Sequence, residues 1–177
     1  MMRLSIILVF VWLVFKSAML QFGYESERIG VILNILFLVI IIFMAVRNLR
    51  KDLAFFEMLK AGMRPAAVYI ILITLAIFIY YSWLDPGHMP GVIESNIDAI
   101  EQTIDDEGGY EAFAKNHGPL ESADRGEYLE KQREGFQMLF SPFARASQSL
   151  LALTMLALIY SLMMIGFYKV GKRFIQE

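Results

Sequence analysis

The stretch IGVILNILFLVIIIFMAV, residues 29–46, decides the class of this protein because it holds eighteen consecutive residues without a charge. A transmembrane helix needs about 20 predominantly apolar residues to cross about 30 Å of hydrocarbon. Three further apolar runs of comparable length lie at about 4–22, 65–84 and 143–167. Apolar residues make up 57% of the 177 residues, more than a soluble domain of this length needs for its core. The sequence therefore predicts four transmembrane spans.

The runs predict helices because they lack the alternation of apolar and polar residues that barrel strands need. Lipid offers no hydrogen bonds to a peptide backbone, so a span outside a barrel must be helical. The predicted fold class is all-α, a four-transmembrane-helix bundle. We expect a single membrane domain over residues 1–177, with an acidic, helical extracytoplasmic insertion at 85–142 between the third and fourth spans.

The first run also has features of a signal peptide, since Arg3 precedes a short apolar core. The region after Lys16 lacks the A-x-A-like pair of small residues at which signal peptides are cut. This predicts an uncleaved anchor, whereas cleavage would leave three spans.

Charges beside the spans predict how the protein lies in the membrane, because short loops rich in Lys and Arg stay on the cytoplasmic side. The segment 47–64 holds five basic residues against two acids, and the C-terminal tail adds Lys169, Lys172 and Arg173. The segment 86–144 holds twelve acids against four bases. We expect a multi-pass protein of the cytoplasmic (inner) membrane, with both termini in the cytoplasm and the acidic loop extracytoplasmic.

The insertion has the pattern of two amphipathic helices. Isoleucines recur at spacings of four, three and four, which predicts a helix over 92–106 with one apolar side: Ile93, Ile97, Ile100 and Ile104. Gly108-Gly109 is expected to end it, and a second helix is predicted over 127–140. Ser141-Pro142 is typical of a helix start and is expected to open the fourth span. The two helices can pack on each other, lie on the outer membrane surface, or receive a partner.

The loop between the second and third spans has two interpretations. Its apolar residues share one helical face, which suits a helix lying at the headgroups, but a plain helical connector is equally consistent. Pro65 is expected to open the third span because proline is tolerated in the first turn of a helix.

The sequence carries little that points to catalysis. His88 and His117 are 29 residues apart, no H-E-x-x-H motif occurs, and there is no cysteine to complete a zinc site. The acids at 105–107 lack the ligand spacing of an EF-hand. Nucleophile turns, phosphate loops and dinucleotide fingerprints are also missing. We expect no enzyme, no cofactor and no metal, with an intramembrane hydrolase using Asp85 and His88 as a minor alternative.

Polar residues inside the predicted spans are the candidates for function, because such residues are costly in lipid. Lys16, Asn34 and Gln148 lie at similar predicted depths, about five or six residues from the outer ends of their spans. They can form a cluster that holds the bundle together, make independent contacts with Lys16 snorkelling to the surface, or form a ligand or ion site.

The stretch YYSWLDPGHMPG, residues 80–91, marks the end of the third span. Tyr80, Tyr81 and Trp83 are expected to form an interfacial aromatic belt. Pro86 and Pro90 are expected to break the helix and turn the chain outward. Asp85 then becomes a hydrated helix-end residue, and His88 a loop residue able to sense pH.

The order of these parts resembles a known family. A basic connector, FFEMLKAGMR, opens a span that ends in IYYSWLDP, and an acidic segment of about 60 residues precedes a last span with a basic tail. This is similar to the bacterial four-helix membrane proteins of a family of unknown function typical of the Bacteroidetes. The resemblance implies membrane location and architecture, and no activity or catalytic residues.

Two functions from different classes remain. The first is a non-catalytic accessory or scaffold component that meets a membrane protein partner or a second copy of itself. The alternative is a small transport or ligand-sensing bundle with its polar site at Lys16, Asn34 and Gln148. In either case the lipid bilayer is a partner, and nucleic acid is not expected because the basic residues flank the spans.

Overall fold

The computed structural model describes residues 2–24, 27–48, 54–117 and 124–175. Over these ranges the chain is all-helical and contains no strand. The seven helices are α1 (Met2–Gln21), α2 (Glu27–Arg47), α3 (Phe55–Ile79), α4 (His88–Asp106), α5 (Tyr110–His117), α6 (Arg125–Phe140) and α7 (Pro142–Ile175), with a π-helical turn (Tyr80–Leu84) after α3.

Four helical stretches are long and apolar enough to cross a membrane: Met2–Gln21, Glu27–Arg47, Phe55–Leu84 and Pro142–Tyr168. The chain forms two compact units. We call residues 1–80 with 146–177 the membrane unit, and residues 81–145 the insertion unit.

The membrane unit is built from α1, α2 and α3, which contact one another, and from α7. Its core lies on the shared faces of the helices, where Leu38, Ile41 and Ile73 are fully buried. An ideal Cβ at Gly62 would lie 3.3 Å from the Ser161 hydroxyl of α7, so these two small residues let α3 and α7 approach closely. Large apolar side chains cover the outer faces, as a helix surrounded by lipid requires.

The helix that contains the third span begins ten residues before Pro65, because α3 starts at Phe55 and Pro65 is its eleventh residue. The expectation that Pro65 lies in the first turn of this helix was therefore wrong. Proline is tolerated inside membrane helices when neighbouring helices support the backbone around it. Here Pro65 is buried, and the Ser5 hydroxyl of α1 donates a hydrogen bond of 3.2 Å to its carbonyl.

The insertion unit contains α4, α5 and α6, with α4 in contact with both of the others. The isoleucine pattern is confirmed at three of its four positions, since Ile93, Ile97 and Ile104 are buried and Ile100 is half-buried. The helix also begins earlier than predicted, at His88, so that Pro90 lies in its first turn. The predicted break after the third span is confirmed at Pro86, because the helical stretch ends at Leu84, whereas Pro90 takes no part in the break and lies in the first turn of α4, which tolerates proline.

Glycines and capping residues fix the ends of these helices. Gly108 and Gly109 follow α4 with φ of +92° and +101°, which confirms the predicted glycine stop. The Asp124 carboxylate accepts a hydrogen bond of 2.9 Å from the Glu127 amide at the start of α6. The Ser141 hydroxyl accepts one of 3.1 Å from the Ala144 amide, which confirms Ser141 as the cap of α7.

Some predictions fall outside the described residues. These are the middle of the inner connector, residues 49–53, residues 118–123 between the two helices predicted for the insertion, and the side chains of the basic C-terminal tail, including Lys169, Lys172 and Arg173.

Candidate functional site

Lys16 lies in the interior of the membrane unit, with 2% of its surface exposed. Its Nζ is 4.8 Å from the centre of the Tyr80 ring, a distance at which an ammonium group is attracted to an aromatic face. Its aliphatic stem crosses Gly30 of α2, where an ideal Cβ would lie 3.2 Å from the Lys16 Cδ. The absence of a side chain at Gly30 therefore makes room for the lysine.

Trp12 completes the surroundings of Lys16. Its indole Nε1 donates a hydrogen bond of 3.1 Å to the Gly30 carbonyl, and its ring meets Tyr80 edge to face at 6.0 Å. The Tyr80 hydroxyl donates to the Lys16 carbonyl at 3.4 Å. We call Trp12, Lys16, Gly30 and Tyr80 the Lys16 cluster; it joins α1, α2 and the end of the third span.

Asn34 is buried one helical turn beyond Gly30 on α2, a rise of about 6 Å at 1.5 Å per residue. Its Oδ1 accepts a hydrogen bond of 3.0 Å from the hydroxyl of Tyr69, which is fully buried on α3. The Lys16 cluster and the Asn34–Tyr69 pair thus occupy consecutive turns of the buried face of α2. Both link α2 to the third span.

Gln148 is placed differently, because it lies at an exposed position of α7. The structure therefore buries two of the three polar residues predicted to share a level, Lys16 and Asn34, and leaves the third on the surface. Among the α7 side chains that the structure describes, the buried polar one is Ser161, whose hydroxyl lies 3.5 Å from the Met63 sulfur of α3.

The three aromatic residues predicted to form an interfacial belt also differ in their surroundings. Tyr80 is fully buried and Tyr81 is 4% exposed, whereas Trp83 is 77% exposed. The placement of Trp83 suits an interfacial ring, and the burial of the two tyrosines differs from that prediction. Tyr80 is buried because its ring covers the lysine head, and the Tyr81 ring lies 5.2 Å from that of His88.

A groove of about 390 Å³ runs along α1 and α3. It does not include Lys16 or Asn34, and its lining is apolar: Ile6, Val9, Phe10, Leu13, Leu72, Leu75, Ala76 and Ile79. The two buried polar residues therefore face other parts of the chain and not this opening.

The insertion unit carries its polar contacts on the surface. Arg125 of α6 donates to Asp105 at 2.6 Å and to Glu101 at 3.4 Å, while Arg133 binds both carboxylate oxygens of Glu94. Hydrogen bonds to these carboxylates raise the pKa of each guanidinium. These pairs connect α6 to α4.

Histidine contacts in the insertion unit are local. The His88 Nδ1 lies 3.7 Å from Asp85, and the His117 Nε2 is 2.9 Å from Glu107. Hydrogen bonds from His117 and Asn116 lower the pKa of Glu107. Within the described ranges, no group of three or more His, Asp or Glu residues could hold a metal ion.

Sequence reasoning missed three residues that surround Lys16 and Asn34, namely Trp12, Gly30 and Tyr69. Each lies in or beside an apolar run in which aromatic and small residues are common, so composition does not mark them. A weak signal exists at Tyr69, because a buried phenol in lipid needs a hydrogen-bond acceptor and Asn34 is an amide in the neighbouring span.

The four helices of the described residues that are apolar enough to cross a membrane suggest a multi-pass helical membrane protein. More particularly, the chain belongs to a family of proteins of unknown function, DUF4199, whose model matches residues 2–169. The predicted membership of a family of unknown function is thereby confirmed over nearly the whole chain. No curated protein and no solved structure matches it.

Proposed function

We propose that this protein is a non-catalytic accessory or scaffold component of a bacterial cytoplasmic membrane. Its spans serve as an anchor, and its insertion unit meets a protein partner or a second copy of the chain. From the charge pattern, both termini lie in the cytoplasm and the insertion unit is extracytoplasmic.

The observation that carries this proposal is the engagement of the buried polar groups with the chain itself. The Lys16 head covers the Tyr80 ring, and the Asn34 amide accepts from Tyr69. A site for a transported or sensed solute needs polar groups turned toward an opening, and neither Lys16 nor Asn34 lines the apolar groove along α1 and α3. This arrangement favours a role in holding the helices together.

The charge of the insertion unit supports contact with a basic partner surface. Its segment 86–144 has twelve acids and four bases, and two of those bases, Arg125 and Arg133, already bind carboxylates of α4. Exposed acids such as Glu130 and Glu134 on α6 add to this excess of negative charge. Complementary charge steers association and selects partners.

The alternative function is a small transport or ligand-sensing bundle with its site at Lys16, Asn34 and Gln148. One observation favours it: Lys16 is an ionisable residue buried within a span, and such residues often belong to transport or sensing sites. A solute that binds there would raise the melting temperature of the wild-type protein and leave that of Lys16→Met unchanged.

Copurification in mild detergent, after cross-linking in native membranes, tests the proposed function. We expect wild-type protein to carry a stoichiometric protein partner or a second copy. The substitution Glu134→Lys in the insertion unit should weaken this association. The matched control Glu57→Lys makes the same charge change at another exposed position, at the start of α3, and should leave the association intact.

Three results would contradict the proposal. The first is a wild-type protein that stays monomeric and alone at every cross-linker dose. The second is equal loss of the partner in Glu134→Lys and Glu57→Lys, which would mean that the association depends on the net charge of the protein and not on the insertion unit. The third is solute-dependent stabilisation that requires Lys16, which would favour the alternative function.

A further inference from the structure

The exposed face of α6 changes from charged to apolar along the helix. Glu127, Glu130, Lys131 and Glu134 are exposed on it, and Lys131 forms an ion pair of 2.9 Å with Glu127. Beyond Glu134 the helix has no charged residue. The large apolar side chains of Met138 and Leu139 are instead 76% and 54% exposed.

The half-buried residues of α6 share one side of the helix: Arg125, Tyr128, Leu129, Gln132, Arg133, Phe136 and Phe140. Leu139 follows Phe136 by three residues and lies on this side with 54% of its surface still exposed, whereas Met138 lies on the opposite, charged face. Met138 follows Glu134 by four residues, so the two side chains lie on the same face one turn apart. A face that is charged in one turn and apolar in the next indicates a change of solvent along the helix.

The position of the last turn of α6 in the chain indicates which solvent surrounds it. Leu139 precedes Pro142 by three residues, and Pro142 begins a helix apolar enough to cross a membrane. Three residues span at most about 11 Å even when fully extended. Phe143, the second residue of that helix, is itself 72% exposed.

We propose that the last turn of α6 lies in the interfacial zone of the lipid bilayer, where Met138 and Leu139, together with Phe143 at the start of α7, contact lipid. The contact is apolar in origin, because the excess of acids in the insertion unit disfavours electrostatic attraction to anionic headgroups. Apolar side chains of a helix at this level are buried at the boundary between headgroups and acyl chains. The inference needs only the membrane class of the protein and does not depend on the scaffold role.

The absence of cysteine from the sequence provides a clean background for site-specific labelling. The probes are Met138→Cys and Leu139→Cys, each carrying a nitroxide spin label in phosphatidylcholine vesicles at low protein-to-lipid ratio. Glu130→Cys, two turns before Met138 on the same exposed face, is the matched control. Accessibility to oxygen, which concentrates in lipid, is compared with accessibility to a water-soluble nickel chelate.

Labels at residues 138 and 139 should be several times more accessible to oxygen than to the nickel chelate, and the label at residue 130 should show the reverse. Equal accessibility of all three labels to the nickel chelate would overturn the proposal. Labels at residues 138 and 139 that are shielded from the nickel chelate only at high protein-to-lipid ratio would also overturn it. In that case a second copy of the chain, and not lipid, would cover these residues.

Discussion

The membrane unit and the insertion unit are both helical, yet they place polar side chains on opposite sides of their helices. In the membrane unit the buried set includes Ser5, Lys16, Asn34 and Ser161, while large apolar side chains face outward. In the insertion unit isoleucines form the interior, and Arg125 and Arg133 meet carboxylates at the surface.

Water and lipid make different demands on a polar side chain. In water a surface ion pair can break and be solvated, so its net contribution to stability is small. In lipid a polar group has no solvent partner, so the chain itself must supply one with good geometry. The contacts of Lys16 and Asn34 should therefore be more sensitive to small changes than the contacts of α6.

Gly30→Val should destabilise the membrane unit most, because it would drive a side chain into the stem of Lys16. Overpacking of a close contact costs roughly 1–3 kcal/mol, so we expect a loss of about 2 kcal/mol in the free energy of unfolding. The matched control is Gly166→Val in α7, where an added Cβ meets nothing within 4 Å. Unfolding in detergent measures both variants, and equal effects would show that the Lys16 stem is not tightly packed on Gly30.

Tyr69→Phe should have the next largest effect. It removes the hydroxyl that donates to the buried Asn34 Oδ1 and leaves that acceptor without this donor. Leaving a buried acceptor unsatisfied costs about 1–3 kcal/mol, and interhelical hydrogen bonds in membranes lie at the lower end, so we expect about 1 kcal/mol. A double-mutant cycle with Asn34→Val measures the coupling, and strictly additive losses would mean that the two side chains do not interact.

How well the sequence predicts each helix depends on the length of the residue pattern that marks it. The spans were predictable because a run such as 29–46 is too long and apolar to have another use. The helix α5 was missed because YEAFAKNH is short and contributes one buried residue, Phe113, which shows no period. Likewise, apolar composition cannot tell that Tyr80 covers a lysine while Trp83 faces outward, because this depends on how the helices pack.

The stability of α5 should depend on pH, with a weaker effect than either substitution in the membrane unit. The pKa of Glu107 is lowered in the folded protein, chiefly by its hydrogen bond with His117. A group with a depressed folded pKa stabilises the fold above its unfolded value, near pH 4.3 for Glu, and loses this contribution as pH falls through the folded value. Amide-exchange protection of α5 should therefore be constant from neutral pH down to about this value and then decline.

The matched variant for this prediction is Glu107→Gln, which removes the titrating group. Its α5 helix should show weaker protection at neutral pH and a flatter profile under acid conditions. A wild-type profile that coincides with that of the variant across the acid range would contradict a role for the Glu107–His117 contact.

We propose that the polar residues inside the spans serve packing and do not line a water path. Thiol labelling distinguishes the two arrangements, because methanethiosulfonate reagents react with ionised thiols, which require water. Lys16→Cys and Asn34→Cys are compared in intact membranes with Phe22→Cys, at a position that is 74% exposed. We predict rapid labelling at residue 22 and none at residues 16 and 34. Labelling of both buried positions at a rate close to that at residue 22 would contradict the claim and favour a solute pathway.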